Sequence, residues 1–145
     1  MRVGISIRIG RPSEIKALLD LEPVASQNLL PRNKITNNLI RLVAYDDETK
    51  ELYGFLECEM GGINCKNFYT SHAGILNLLV IEKARNYGVA EKLIRNLFTR
   101  EAVKNRTLIL FCPCKSPATI ALAEKCGFKY SSNDDNYNCY VKKMS

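Results

Sequence analysis

The 145-residue sequence has a single histidine, His72, and its six cysteines never take the paired C-x-x-C spacing. Zinc sites are built from such pairs or from several histidines. Cys58, Cys65, Cys112, Cys114, Cys126 and Cys139 therefore read as reduced, packed thiols, and no metal is expected. Long apolar runs are also missing. The best of them, 75–81, is interrupted by Asn77 and falls far short of the ~20 residues that span a bilayer, so no membrane segment is expected. The opening "MRVGISIRIG" lacks an apolar stretch with a small-residue cleavage site. That makes the cytoplasm the expected location. Neither G-x-x-x-x-G-K-[ST] nor G-x-G-x-x-G occurs, which argues against a nucleoside triphosphatase or a dinucleotide-binding loop. No RNP pattern, zinc-finger spacing or lysine-rich tail is present. The net charge of +6 comes from basic residues scattered among acidic ones, so nucleic acid is not the expected partner. There is no internal repeat, low-complexity tract or linker, and the length suits a single domain over residues 1–145.

What is present alternates between strand and helix. Residues 3–9, "VGISIRI", alternate like a strand, and Pro12-Ser13-Glu14 opens a helix to about Leu21 with Ile15, Leu18 and Leu19 at helical spacing. The segment 26–40 is broken by Pro31. A second helix from about Asn33 would put Ile35, Leu39 and Ile40 on one side. "RLVAYD" (41–46) and "ELYGFLECEM" (51–60) read as a hairpin around "DETK", with Gly54 marking a bulge or a close backbone approach. "AGILNLLVI" (73–81) is almost continuously apolar, as expected of a strand buried on both faces at the centre of a sheet. From Gly88 to about Lys104, Val89, Ala90, Leu93, Ile94, Leu97 and Phe98 recur at helical spacing. "TLILFC" (107–112) is a further strand. Ser116-Pro117 starts a helix over 117–125 that Gly127 ends, and "NYNCYVKK" (136–143) closes the sheet as an edge strand. One α/β domain with a mixed sheet accounts for this order.

Between the central strand and the helix from Gly88 lies "EKARNYGVAEKL" (82–93), which has no recognisable side-chain N-cap. A helix start exposes unpaired N–H groups and the positive end of the dipole, so an uncapped one favours an anion. Gly88 permits a tight turn with no Cβ in the way, Ala90 keeps the surface small, and Arg85 adds positive charge. A phosphate can then approach several amides. The bland alternative is that Gly88 only turns the chain and Arg85 is solvated.

"LLVIEKARNYGVAEKLI" resembles the acyl-CoA-binding motif of the GNAT superfamily of N-acyltransferases, a strand ending L-x-V followed by R-x-x-G-x-G/A. The matching residues are Leu78, Val80, Arg85, Gly88 and Ala90. "SPATIALAEKCGF" (116–128) is similar to a later motif of the same superfamily at Leu122, Glu124, Gly127 and Phe128. The resemblance implies an α/β (α+β) fold: a mixed central sheet of six to seven strands flanked by about four helices. Two splayed parallel strands, 73–81 and 107–112, would form an acyl-CoA cleft. It implies acetyl-CoA as co-substrate, bound by Leu78, Leu79, Val80, Arg85, Asn86, Tyr87, Gly88, Val89, Ala90 and Ser116. The diphosphate would sit on amides from about Arg85 to Ala90, the pantetheine arm would pair with 78–80, and an N–H near Leu79 would hold the thioester oxygen.

The expected activity is transfer of an acetyl group to a primary amine by direct attack in a ternary complex. The amine is a small amine, an amino acid or a protein N-terminal or lysine amine, and superfamily habit suggests a homodimer. An ammonium must lose a proton before it attacks. In many related enzymes a strand glutamate aligns with Gly74 and a tyrosine acid with Ala123; both are absent from this sequence. The substitutes are Glu57 and Glu59, which alternate on one side of the neighbouring strand, and His72. Equally, the glutamates can be a solvated face and His72 a surface residue. The competing expectation is a non-catalytic acyl-CoA-binding or sensing domain.

Overall fold

Strand β1 (Ile5–Ile9) leads into helix α1 (Pro12–Leu21), whose first turn is fixed by a carboxylate rather than by a hydroxyl cap. The computed structural model describes residues 4–23, 39–60, 72–113, 116–133 and 137–145. Glu14 Oε1 accepts the Arg11 backbone N–H at 2.9 Å, satisfying one of the donors a helix start leaves over. Both Glu14 oxygens also receive the Arg8 guanidinium, at 2.9 and 2.6 Å. The Arg8 hydrogen bond holds the Glu14 carboxyl down at about 2. A lowered carboxyl stabilises the fold above its unfolded value near ~4.3 and loses that contribution as pH falls through its folded value. With Arg8 42% exposed, solvent screening leaves about 1 kcal/mol. Glu14→Gln is therefore expected to lower Tm by about 3 °C at pH 7. Thermal melts should show the gap closing between pH 4 and pH 2; a gap independent of pH would refute the assignment.

Strands β2 (Leu39–Asp46) and β3 (Leu52–Met60) form the hairpin read from the sequence. Its turn is held by the Asp46 carboxylate, which accepts the N–H groups of Glu48 (2.8 Å) and Thr49 (3.0 Å) and the Tyr53 hydroxyl (3.0 Å). Leu39 and Ile40, expected in a second helix, belong to β2 and pair with Glu59 and Cys58. Strand pairing along β3 outweighs the local helical spacing. The remainder of that expected helix lies outside the described residues. Both readings of Gly54 hold. The β2–β3 register shifts beside it, and a Cβ there would meet the Leu79 carbonyl at 2.5 Å.

Strand β4 (His72–Val80) is the fourth of seven in the order β1-β2-β3-β4-β5-β7-β6, the centre of the sheet. One 3₁₀ turn (Glu82–Ala84) connects it to helix α2 (Val89–Phe98). Val89, Leu93, Ile94 and Leu97 are buried, and the helix packs across β1 to β4. At about 1.5–3 kcal/mol per fully buried side chain, that face outweighs helix propensity in fixing α2. The helix is shorter than its apolar pattern, which runs to about Lys104. The Thr99 hydroxyl takes the Asn96 carbonyl (2.7 Å), and the Arg100 guanidinium takes the Asn96 side-chain oxygen (2.7 and 3.0 Å). Such local bonds compete with the helix ladder. The chain resumes as a 3₁₀ turn (Glu101–Val103) that buries Val103.

Strand β5 (Thr107–Pro113) precedes helix α3 (Pro117–Lys125), which packs against it. Gly127 (φ +90°) ends α3 with the paired bonds Phe128 N–H to Ala123 O and Gly127 N–H to Glu124 O. Strands β6 (Lys129–Asn133) and β7 (Tyr137–Lys143) finish the sheet. The edge expected at 136–143 is in fact interior. β7 pairs with β5 along its whole length, and the exposed, mostly polar β6 takes the outside. The result is a mixed seven-stranded sheet, parallel only between β4 and β5, with three α-helices among the described residues. Among those residues no helix is long and apolar enough to cross a membrane.

Candidate acyl-CoA and acceptor site

The site begins where the ladder stops. β4 and β5 pair only over His72–Ile75 and Thr107–Leu110, although both strands continue. The reason lies on the other side of β4. Glu57 faces Asn77 but the next residue, Cys58, faces Ile75, so Leu76 is a bulged residue that bends β4 away from β5. Beyond it one edge of β4 has no ladder partner among the described residues. Ile81 donates its N–H to Tyr53 O at 2.9 Å, so Leu79, two residues earlier, also turns its polar groups toward β3. Alternation then turns the amides of Leu78 and Val80 to the open edge. The exposed amides nearest Leu79 are therefore those of Leu78 and Val80, and Leu79 itself faces β3.

At the top of that edge the chain turns into α2. Asn86 (φ +71°) and Gly88 (φ +75°) both adopt the left-handed conformation, on either side of the exposed Tyr87. Gly88 is the N-cap and offers no side-chain cap; the first helical bond runs from Lys92 N–H to Gly88 O. No N–H from Asn86 to Glu91 finds an acceptor among the described residues. Six amides at the positive end of a helix are an arrangement that favours an anion. Val89 contributes its N–H while its side chain is buried, and Ala90 is half-buried.

Arg85 is placed differently from the free cation read in the sequence. Its Nε donates to Val80 O (3.0 Å) and its Nη2 to Glu22 Oε1 (2.9 Å). Ser116 occupies the N-cap of α3 without a capping bond; its hydroxyl lies 2.7 Å from that of Thr119.

The acceptor-side candidates lie on one face of the sheet, because direct cross-strand partners share a face. Arg41, Glu57 and Asn77 are successive partners across β2, β3 and β4. Asn77 Nδ2 donates to Glu57 Oε1 at 3.2 Å, and Arg41 Nε is 3.4 Å from Glu57 Oε2. Glu57 and Glu59 are fully buried, not a solvated face, and Glu59 sits directly opposite Gly74. His72 is half-buried on the same face at the start of β4, six residues and about 20 Å of strand before Leu78. Glu57, beside Asn77, is nearer to that amide. Ala123 is fully buried, and burial pushes the neighbouring Cys126 thiol up, which makes it a packing residue. Among the described residues no group of three or more His, Cys, Asp or Glu is arranged to hold a metal ion.

A parted parallel strand pair beneath an uncapped helix N-terminus is the observation that the comparisons join. The family model described as Acetyltransferase (GNAT) family matches residues 15–128. The chain belongs to the GNAT acetyltransferase family. No curated protein sequence matches it. Among solved structures, an N-acetyltransferase from Staphylococcus aureus Mu50 aligns at TM-score 0.74 and 20% identity, covering 98% of this chain and 99% of the other. A variant of the spermidine N-acetyltransferase from Vibrio cholerae aligns at 0.73 and 16%, covering 97% and 94%. The ribosomal-protein-S18-alanine N-acetyltransferase from Escherichia coli aligns at 0.67 and 16%, covering 97% and 93%. At such identities the likeness shows the fold.

The residues fit the acyl-CoA that this GNAT protein's family uses. A Cβ built on Gly88 meets nothing within 4 Å, so the space before the amides is open. Sequence reasoning missed Glu22, Arg41 and the left-handed Asn86. Asn tolerates positive φ, and an arginine inside the apolar strand "RLVAYD" is itself a signal. Glu22 has no local signal, because its partners lie sixty residues away.

Proposed function

We propose that the protein transfers an acetyl group from acetyl-CoA to a primary amine by direct attack in a ternary complex. The observation that carries this reading is the set of unpaired amides from Asn86 to Glu91 above an open strand edge. Bound acetyl-CoA supplies an activated acetyl thioester. The chain's part is to hold the diphosphate on the α2 amides and to pair the pantetheine arm along Leu78 and Val80. The Leu78 N–H then faces the oxygen on which charge grows. The acceptor ammonium, with a pKa near ~10.4 if lysine-like or ~8 if an α-amine, approaches the face that carries Glu57 and Glu59. Those carboxylates attract the cation and take its proton, directly or through water. Arg41 already balances the charge of Glu57. Glu59, facing Gly74 across the ladder, is the stronger candidate for proton acceptor, and His72 is the most distant.

Gly74 and the buried Ala123 favour a second reading, a domain that binds acyl-CoA without catalysis. Thermal shifts with acetyl-CoA, CoA and ATP test the cofactor, since selective binding stabilises the fold by mass action. Thiol release with an amine panel tests the reaction. The panel includes spermidine and an N-terminal alanine peptide, the acceptors named for two structural neighbours. Stabilisation by CoA with no amine-dependent thiol release would establish the second reading. If the first holds, Glu59→Gln should lower kcat by about 100-fold with CoA affinity unchanged, within the range for a lost general base. A Glu59→Gln enzyme within twofold of wild type would remove Glu59 from the reaction.

A further inference from the structure

We infer that Glu22, at the end of α1, is the positioning residue that presents the α2 amides to the diphosphate, with Arg85 as its brace. The inference rests on the reading that those amides hold the diphosphate. Glu22 is the C-cap of α1, and its backbone N–H returns to Leu19 O. Its Oε1 reaches across to the β4–α2 connection and accepts two donors, the Glu82 backbone N–H at 2.5 Å and Arg85 Nη2 at 2.9 Å. The first contact fixes the opening residue of the 3₁₀ turn Glu82–Ala84. The second fixes the residue at which that turn ends. Arg85 Nε continues the chain of contacts to Val80 O, the last residue of β4. One carboxylate thus ties α1, the end of β4 and both ends of the turn together. The next residues, Asn86 to Glu91, carry the unpaired amides; Asn86 to Ala90 show no side-chain bonds to the described residues, while the Glu91 carboxylate is taken by Arg95 and Lys125.

The direction of Arg85 gives this arrangement a consequence. Its guanidinium faces the protein, so the amides rather than this side chain meet the phosphates. Arg85 takes one lone pair of Val80 O at the open edge, and the Val80 N–H stays available to a docking strand. The 16% exposure of the Glu22 side chain means that its bonds are shielded more than those of a surface pair. Removing the carboxylate releases the Glu82 amide and Arg85 Nη2 together, leaving Arg85 tied only to Val80 O, and the amide cluster loses its register to α1.

The test compares two ligands, CoA and pantetheine, the second lacking every phosphate. Dissociation constants are measured by calorimetry for wild type, Glu22→Ala and the near-isosteric Glu22→Gln, with Tm recorded for each. The expected result is a rise of about tenfold in Kd for CoA in Glu22→Ala with pantetheine affinity unchanged. Glu22→Gln, which keeps an oxygen for the Glu82 amide, should lie between the two. If Glu22→Ala fails to fold, Glu22→Gln is read by the same criterion. Equal losses for CoA and pantetheine would overturn the inference in favour of a general structural role, and so would a CoA affinity within twofold of wild type. Wild type that binds CoA no more tightly than pantetheine would defeat the diphosphate reading itself, and this inference with it.

Discussion

Gly88→Glu is expected to weaken CoA binding by about 100-fold or more, about 2.7 kcal/mol, as read by calorimetry or by loss of the CoA thermal shift. Two effects act at this position, and a second substitution separates them. Gly88 has φ +75°, where an L-residue costs about 1 kcal/mol, so any side chain lowers stability somewhat. A Cβ there touches nothing within 4 Å, so Gly88→Ala carries the backbone strain and little else. Gly88→Ala should therefore melt a few degrees lower and still respond to CoA. Glutamate adds a carboxylate among the amides of Asn86 to Glu91, where it takes the place of the phosphates and repels them. If Gly88→Glu still binds CoA within fivefold of wild type, the amides are not the phosphate site. If Gly88→Ala loses binding equally, strain rather than charge explains the effect.

The same turn shows what a sequence can and cannot display. Gly88 and the uncapped helix were legible because a left-handed residue at a helix start leaves a local mark, and the apolar run 73–81 marked the centre of the sheet. Helix α3 and its glycine stop were legible for the same reason. The bulge at Leu76 was not. A continuous apolar run has no period that shows a one-residue slip, yet that slip parts β4 from β5 and turns the amides of Leu78 and Val80, not that of Leu79, to the open edge. The order of β6 and β7 was hidden because it depends on pairing between distant strands. The direction of Arg85 was hidden because its carboxylate partner lies on α1. The shortened α2 reflects side-chain bonds from Thr99 and Arg100 that apolar spacing does not record. Glu57 and Glu59 were placed on one side by alternation alone, while their burial came from what covers the sheet.

Arg41→Met is expected to lower stability by about 3 kcal/mol, a Tm loss of about 10 °C, because it removes the cation beside a buried carboxylate. Glu57 is fully buried and Arg41, the cross-strand partner 3.4 Å away, is 28% exposed. The two ends of the pair are therefore unequal. Removing the arginine takes this cation from a buried carboxylate, whereas Glu57→Gln leaves a guanidinium that can turn outward, at a cost nearer 1 kcal/mol. The double variant should resemble Glu57→Gln alone, giving a coupling energy of about 3 kcal/mol in a double-mutant cycle. The consequence reaches the site through Asn77, which donates to Glu57 and precedes Leu78 on the bulged strand. A disturbed row shifts the Leu78 amide but not the α2 turn at the far end of β4. In the transferase reading, Arg41→Met should then lower kcat by about tenfold while CoA affinity stays within twofold. Additive single-variant stabilities would show that the two charges do not act as a pair. A kcat equal to wild type would show that the row does not set the position of Leu78.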